Sequence, residues 1–262
     1  DLHLFNGTNT NSMKQILAIP AAGKGSRLNS QVPKIFTPVS GSKNVFDFIL
    51  ESLNAEIDLV LLLLSPEGKA YFDKHVAAYA PSNIELLIQS EATGMFDAVN
   101  QLVSHVLAMP EDVRLILQWG DQPFCDQMLH DAMWKDLTLH DATVPLVWVD
   151  KPYVQYRFAG QEVQVLESRE GEAVDAHGFK DMGIFGLNKS LLQATWAHYA
   201  EHAPTGKVTG EKNFVKYIGT LHPQFKVFWR LDQPFYKSLG INTPEELAQA
   251  KLYVEQREHL IQ

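Results

Sequence analysis

Apolar positions along the chain fall into two alternating patterns. Residues 16–19 (ILAI) and 59–64 (LVLLLL) are unbroken apolar runs, and 84–88 (IELLI) and 113–117 (VRLIL) are nearly so. Such short runs, lacking strict apolar/polar alternation, predict strands covered on both faces, as in a parallel sheet. Between them the spacing changes. Val45, Phe46, Phe48, Ile49 and Leu53 recur at helical intervals, as do Phe96, Val99, Leu102, Val103 and Val106 within a helix over 94–107. Further helices are predicted over 66–79, where Pro66 suits the first helical position, and over 126–137, with another strand at 144–149. Strand and helix alternate about four times, which predicts an α/β fold with an open, mostly parallel sheet, helices on both faces and right-handed crossovers.

The second half is less regular. Residues 155–158 and 163–166 flank Ala159-Gly160 and predict an antiparallel hairpin, followed by a polar loop over 171–178. A strand at 184–187, a helix at 191–199, a loop at 203–210, a short helix at 214–218 and a strand at 227–229 follow. Asn242-Thr243-Pro244-Glu245-Glu246 is a helix start: Thr243 can cap, Pro244 fits N1 and Glu246 can complete a capping box. There is no internal repeat and no clear linker. The expectation is a single domain over 13–262, with an additional lobe mainly within 150–235. Residues 1–12, rich in Asn and Thr and without periodicity, are expected to be a flexible leader or an expression-derived remnant.

Composition narrows the class of partner. The net charge of −9 argues against a general nucleic-acid binder, which carries a basic footprint, but leaves room for a local cationic pocket. One cysteine, Cys125, permits neither a disulfide framework nor a Cys-rich metal site. The longest apolar run has six residues, against the roughly 20 of a membrane helix, and no signal peptide opens the sequence. A cytoplasmic setting, with neither membrane nor nucleic acid as partner, is expected; the oligomeric state is left open.

The candidate chemistry gathers at the predicted carboxyl ends of the strands, where open α/β sheets bind ligands. After the first strand comes Ala21-Ala22-Gly23-Lys24-Gly25-Ser26-Arg27, with Pro33-Lys34 following. Gly23 and Gly25 let backbone N–H groups approach phosphate oxygens, Arg27 can grip them in bidentate fashion, and Lys34 adds a mobile charge. Taken alone, a G-x-G loop can equally serve only to turn the chain, and Arg27 and Lys34 can equally be solvated residues beside it. Leu28 breaks the dinucleotide pattern, and no Walker A lysine is present. Asp121, just past the fourth strand, can ligate Mg²⁺, with Asn242 as a second oxygen; both can equally be turn residues. Gln89, Thr93 and Gly94 lie between a strand and a helix and can read a nucleobase or simply cap the helix. Glu167 and Asp181 can bind sugar hydroxyls or remain solvated. His177 has no ligand neighbours at metal spacing, and no nucleophile–His–acid set is evident. Trp119 and Trp148 are expected in the core or a pocket wall.

Taken in order, these segments resemble the nucleotidyltransferase superfamily that makes activated sugars and related compounds. The resemblance rests on Pro20–Leu28 with Pro33-Lys34, on Ala92-Thr93-Gly94, on Gly120-Asp121-Gln122-Pro123 and on Gly240–Leu247, and spans most of residues 16–249. It implies a Rossmann-like three-layer α/β/α sandwich with a small β-rich acceptor-binding lobe. It also implies Mg²⁺-dependent transfer of a nucleotidyl group from an NTP to a phosphorylated acceptor, commonly a sugar 1-phosphate, with release of pyrophosphate. By that pattern Ala21, Ala22, Gly23, Gly25 and Ser26, with Gln89, Thr93 and Gly94, bind the nucleotide. Arg27 holds the leaving phosphates, Lys34 the α-phosphate, and Asp121 and Asn242 the Mg²⁺. Glu167 and Asp181 face the acceptor.

Two departures are informative. Asp181-Met182-Gly183 stands where many sugar enzymes of the superfamily have Asn-Thr-Gly, and Glu167 is followed by Ser168 rather than by a second catalytic lysine, a part Lys180 is available to take. The sequence shows no hexapeptide repeat of the kind carried by bifunctional uridylyltransferases. A cytidylyltransferase acting on a polyol or other non-sugar phosphate, and a non-catalytic nucleotide-sensing domain, are the alternatives.

Overall fold

A computed structural model of the chain describes residues 13–23, 25–28, 32–91, 93–231 and 233–259. Residues 1–12, the expected leader, lie outside the described residues. The central strand β1 (Lys14–Pro20) leads into two single 3-10 turns, Ser26–Leu28 and Lys34–Phe36. A two-stranded ribbon of β2 (Pro38–Ser40) and β3 (Lys43–Asn44) follows, then α1 (Val45–Glu51). β4 (Leu59–Leu64), α2 (Pro66–His75), β5 (Ile84–Ile88), α3 (Met95–Ala108), β6 (Val113–Gln118) and α4 (Gln127–Asp136) complete the alternating half. The second half contains β7 (Ala142–Asp150), β8 (Val154–Ala159), β9 (Glu162–Glu167), β10 (His177–Asp181), β11 (Ile184–Asn188), α5 (Lys189–His202), α6 (Val215–Leu221), β12 (Val227–Arg230) and α7 (Pro244–His259).

The main sheet runs β5-β4-β1-β6-β11-β7-β10-β8-β9, with β12 pairing β7. β5, β4, β1 and β6 are parallel. β11 lies antiparallel between β6 and β7, so β7 again runs with β6, and β12 is parallel to β7. β10, β8 and β9 extend the sheet antiparallel and form a β-rich lobe. The expected α/β/α architecture is observed.

Alternation along the buried strands explains their continuous apolar character. Ile16, Ala18, Leu61, Leu63, Leu115 and Leu117 face a layer of α3, α5 and α6. Leu17, Ile19, Val60, Leu62, Leu64 and Ile116 face the layer of α1, α2, α4 and α7. Both faces are dry, so both registers need apolar residues. Helix starts follow their local chemistry. Asn44 closes a capping box with Asp47, Ser65 Oγ accepts from Gly68 N–H at the start of α2, and Asp126 accepts from Leu129 N–H. At α7, Glu246 Oε2 accepts from the N–H groups of Asn242 (2.6 Å) and Thr243 (3.1 Å), while Thr243 Oγ1 accepts from Glu246 N–H (3.2 Å).

Two differences from the sequence expectation stand out. The loop expected over 171–178 gives way at His177 to β10, a strand without an apolar pattern that is held by pairing with β7 and β8. Trp148 is 58% exposed on the lobe, edge-on to Phe179, rather than in the core or a pocket wall. Trp119 does pack inward, against Phe185 and Phe214.

His130 on α4 is fully buried, with Nε2 2.8 Å from Gln118 Oε1 and Nδ1 3.1 Å from the Asp126 carbonyl oxygen. Burial pushes its pKa down to about 4, against the smaller opposing effects of Asp126 and Asp131; Asp126 is itself paired with Lys237. Between pH 6.5 and about 4 the unfolded chain therefore binds the proton that the folded chain refuses. The stabilisation is fully present above pH 6.5 and falls as pH drops through that window, by roughly 3 kcal/mol at its lower end. Urea unfolding compared at pH 7.5 and 4.5 is expected to show this loss, and His130→Gln to flatten it. An unchanged pH slope in the variant would contradict a buried neutral histidine.

Candidate active site

The loops after β1, β4, β5 and β6 all leave the sheet at its carboxyl end. Gly120 sits where the loops after β1 and β6 meet. A Cβ there would lie 2.8 Å from the Ala21 Cβ and 3.3 Å from the Pro20 carbonyl oxygen, so the loops after β1 and β6 touch through their backbones. Two further segments are bonded to the same turn. Trp119 N–H donates to the Gly183 carbonyl (2.8 Å), and Ile241 N–H donates to the Asp121 carbonyl (3.0 Å). Gly183 has φ +72°, and a Cβ on it would meet Trp119 at 2.6 Å; glycine is required there by conformation and space.

This backbone knot gathers three side chains far apart in sequence. Lys34 Nζ donates to Asp121 Oδ2 at 2.5 Å and to Asn242 Oδ1 at 2.6 Å. The Lys34 and Asp121 side chains are only 19% and 14% exposed. Gly25, at φ +60°, packs against the stem of Lys34, where a Cβ would come within 3.2 Å of the lysine Cβ. Asp121 Oδ1 is buried and has no hydrogen-bond partner.

That arrangement fits a hard divalent cation. Two oxygens converge on one positive charge, and a third, on the same carboxylate, is left unpartnered beside them. Carboxylate and amide oxygens are the donors Mg²⁺ prefers. Among the described residues no group of three or more His, Cys, Asp or Glu is placed to hold a metal. A cation here would therefore complete its shell with water and phosphate oxygens, the usual habit of Mg²⁺ in phosphate sites.

The other predicted residues surround this cluster. Ala21 and Ala22 line the loop after β1 and Gly23 is exposed on it; Ser26 begins the 3-10 turn, and its side chain lies outside the described residues. Arg27 is exposed at the loop's lip, apart from the Lys34–Asp121–Asn242 contacts. Gln89 is buried at the end of β5, and its amide donates to Thr93 Oγ1 at 3.2 Å. Thr93 is exposed, and Gly94 caps α3 with φ +105°.

On the lobe side, Asp181 is buried at the end of β10 and accepts from Gly183 N–H at 2.9 Å. Burial raises its pKa, against the pull of that bond and of Lys180. Lys180 stacks its ammonium 5.4 Å from the Tyr153 ring centroid. Burial lowers its pKa, while the charges of Asp181, Glu246 and Asp121 act to raise it. Lys180 thus shares the electrostatic field of Asp121. Glu167 lies farther out, 2% exposed, accepting from Asn213 Nδ2; burial raises its pKa, opposed by Lys216 and Arg169.

Two residues at the site escaped the sequence reading. Gln122 is buried with an unpartnered Oε1 and packs against both Gly183 and Gly240. Tyr153 forms the surface beneath Lys180. Gln122 stands next to a motif aspartate, which is a signal of position only; nothing in the sequence marks Tyr153.

The chain is similar to known proteins in sequence and in fold. The MobA-like NTP transferase domain matches residues 17–182. The bifunctional protein GlmU of Streptococcus equi subsp. zooepidemicus is 27% identical over 94% of this chain and 53% of its own length; that of Marinobacter nauticus is 24% identical over 72% and 39%. The chain spans about half or less of the length of these curated relatives. Among solved structures, a Bacillus anthracis protein assigned as a glucose-1-phosphate thymidylyltransferase, in complex with sucrose, has a TM-score of 0.66 at 18% identity, covering 92% of this chain and 95% of its own. The 4-diphosphocytidyl-2C-methyl-D-erythritol synthase of Anaerococcus prevotii has a TM-score of 0.63 at 16% identity, covering 94% and 97%. At such identities the structural likeness shows a shared fold. With the family match covering well over half its length, the chain belongs to the MobA-like NTP transferase domain family of nucleotidyltransferases.

Proposed function

We propose that this protein transfers a nucleotidyl group from an NTP to a phosphorylated acceptor, most favourably a sugar 1-phosphate, in the NTP-rich cytoplasm. The observation that carries the reading is the convergence of Lys34, Asp121 and Asn242 from three distant segments at the carboxyl end of the sheet. The acceptor's phosphate oxygen attacks the α-phosphorus, the bond to the bridging oxygen breaks, and pyrophosphate leaves with that electron pair. The nucleophile is already anionic, so no strong general base is needed. What the reaction demands is the joining of two polyanions and the neutralisation of charge.

The residues divide that work. The backbone of Ala21–Ser26 cradles the triphosphate, Arg27 neutralises the leaving β- and γ-phosphates, and Lys34 serves the α-phosphate. Gln89, Thr93 and Gly94 face the base. Lys180, Asp181 and Glu167 face the acceptor, with Lys180 in the place of the lysine missing after Glu167. Asp121 and Asn242 would hold Mg²⁺, which supplies further neutralisation of the phosphates when bound.

Pyrophosphate release, measured with four NTPs against a panel of sugar 1-phosphates, polyol phosphates and choline phosphate, tests the reading. Turnover is expected with at least one NTP and sugar 1-phosphate. Turnover confined to CTP with a polyol or choline phosphate would move the acceptor class, and nucleotide binding with no turnover at all would make the chain a sensor. Asp121→Ala is expected to lower turnover by roughly 100-fold or more, the scale of losing one preorganised charge-stabilising group, with the circular dichroism spectrum unchanged. Full activity in that variant would sink the metal assignment.

A further inference from the structure

Two polar side chains stand in the dry layer between the sheet and α4. Gln118 ends β6, and alternation along the strand turns it to the same face as Ile116. His130 meets it from α4, alongside the core residues Leu129 and Met133. Both polar residues are 0% exposed. Burying an amide and an imidazole is costly unless their polar atoms are met, and a well-met pair fixes one arrangement of what it joins.

The hydrogen bonds assign the proton on the ring. Gln118 Nε2 donates to the Gln122 carbonyl at 2.8 Å. That bond sets the amide so that its Oε1 faces His130 Nε2, 2.8 Å away, and an oxygen there needs a donor. On the other side of the ring, the Asp126 carbonyl lies 3.1 Å from Nδ1 and already accepts from the N–H groups of Leu129 and His130. A neutral imidazole carries one N–H, and here it belongs on Nε2.

This chain of bonds ends at the turn that carries Asp121. Gln122 N–H donates to the Trp119 carbonyl at 3.1 Å, so one backbone bond and one side-chain bond close residues 118–122. The Gln122 side chain is wedged between two other segments of the site. A Cβ on Gly183 would lie 2.9 Å from its Cγ, and one on Gly240 2.7 Å from its Nε2. Those segments deliver Asp181 and Asn242. The place of Gln122 thus sets how Asp121, Asn242 and Asp181 stand to one another.

We propose that Gln118, oriented by the Nε2–H of His130, is a positioning residue for the Lys34–Asp121–Asn242 cluster. It holds the Gln122 carbonyl, and through it the turn on which Asp121 reaches its partners. Neither Gln118 nor His130 touches a substrate. The proposal rests on the site assigned above, but not on the identity of the base or the acceptor.

Three variants separate positioning from packing. His130→Gln keeps an N–H close to the place of Nε2, whereas the shorter amide of His130→Asn falls near Nδ1 and does not reach Gln118. Gln118→Met keeps length and bulk and loses both bonds. Titration of the full chain with Mn²⁺, followed by electron paramagnetic resonance, is expected to show affinity about tenfold weaker in His130→Asn and Gln118→Met, the scale of losing an outer group that orients a metal ligand, and near wild type in His130→Gln. For pyrophosphate release, kcat is expected to fall by about tenfold in the same two variants with KM for the NTP little changed, and the double variant to be no worse than either single, as for residues acting in one chain. Nitrogen NMR of the imidazoles, assigned through His130→Gln, should show the proton on Nε2. Neither the Mn²⁺ titration nor the NMR depends on turnover, so both read the proposal even if the transfer reaction itself is refuted. A proton on Nδ1, equal effects of His130→Gln and His130→Asn, or lowered stability with Mn²⁺ affinity and kcat unchanged in Gln118→Met would each overturn it and leave a merely structural pair.

Discussion

The contact between Gly120 and Ala21 is the constraint on which the rest of this structure depends. No side chain fits between the two loops, because a Cβ on residue 120 would come within 2.8 Å of the alanine Cβ. The close approach lets the turn after β6 bind the Gly183 and Ile241 segments through its own backbone. Asp121 therefore points into a space whose walls are set by main-chain hydrogen bonds and not by flexible side chains. Lys34 reaches it because Gly25 clears room for the lysine stem, and Asn242 reaches it because Glu246 holds the N–H groups of residues 242 and 243 at the start of α7. Each of these is a local backbone device. Together they fix a cluster whose members are 87 and 208 residues apart from Lys34.

The two ends of the sheet answer the same physical problem differently. At either end, buried strands must surrender their dry environment to polar groups. At the carboxyl end the polar atoms of Lys34, Asp121 and Asn242 satisfy one another, leaving Asp121 Oδ1 as the exception. At the amino end Gln15, Arg114 and Trp134 leave donors and an acceptor unmatched. Unmatched buried polar atoms destabilise a fold unless something meets them. Only at the carboxyl end do polar side chains from distant segments converge on one another, and only that end is marked by sequence motifs.

Local patterns made the alternating half readable. The runs at 16–19, 59–64 and 113–117 are apolar because helices cover both faces, and that alone gives the strand positions and the class of fold. The capping residues of α7 and the Gly-containing turns were legible for the same reason: their chemistry is short-range. β10 was not, since His177–Asp181 has no apolar rhythm and becomes a strand only through β7 and β8. Tertiary pairing outweighs local preference there. The contacts among Lys34, Asp121 and Asn242 were inferable only through the order of motifs, because spacing along the chain says nothing of which loops meet.

Charge explains why the cluster's composition matters more than the chain's net value of −9. Lys34 and Asp121 offset one another and Asn242 is neutral, so the trio as it stands presents no net charge to a triphosphate. Breaking a half-buried pair of this kind without replacement is costly. On the proposed reading, Lys34 can turn toward a phosphate only if another cation takes over its two oxygens, and the unpartnered Oδ1 of Asp121 gives that cation one more donor than the lysine uses. Asp121 and Asn242 would hold that cation, which would supply positive charge beside the phosphates in addition to that of Lys34, Arg27 and Lys180. Neutralisation at the site would then grow with the arrival of the phosphates, and the free protein would carry no buried excess of charge.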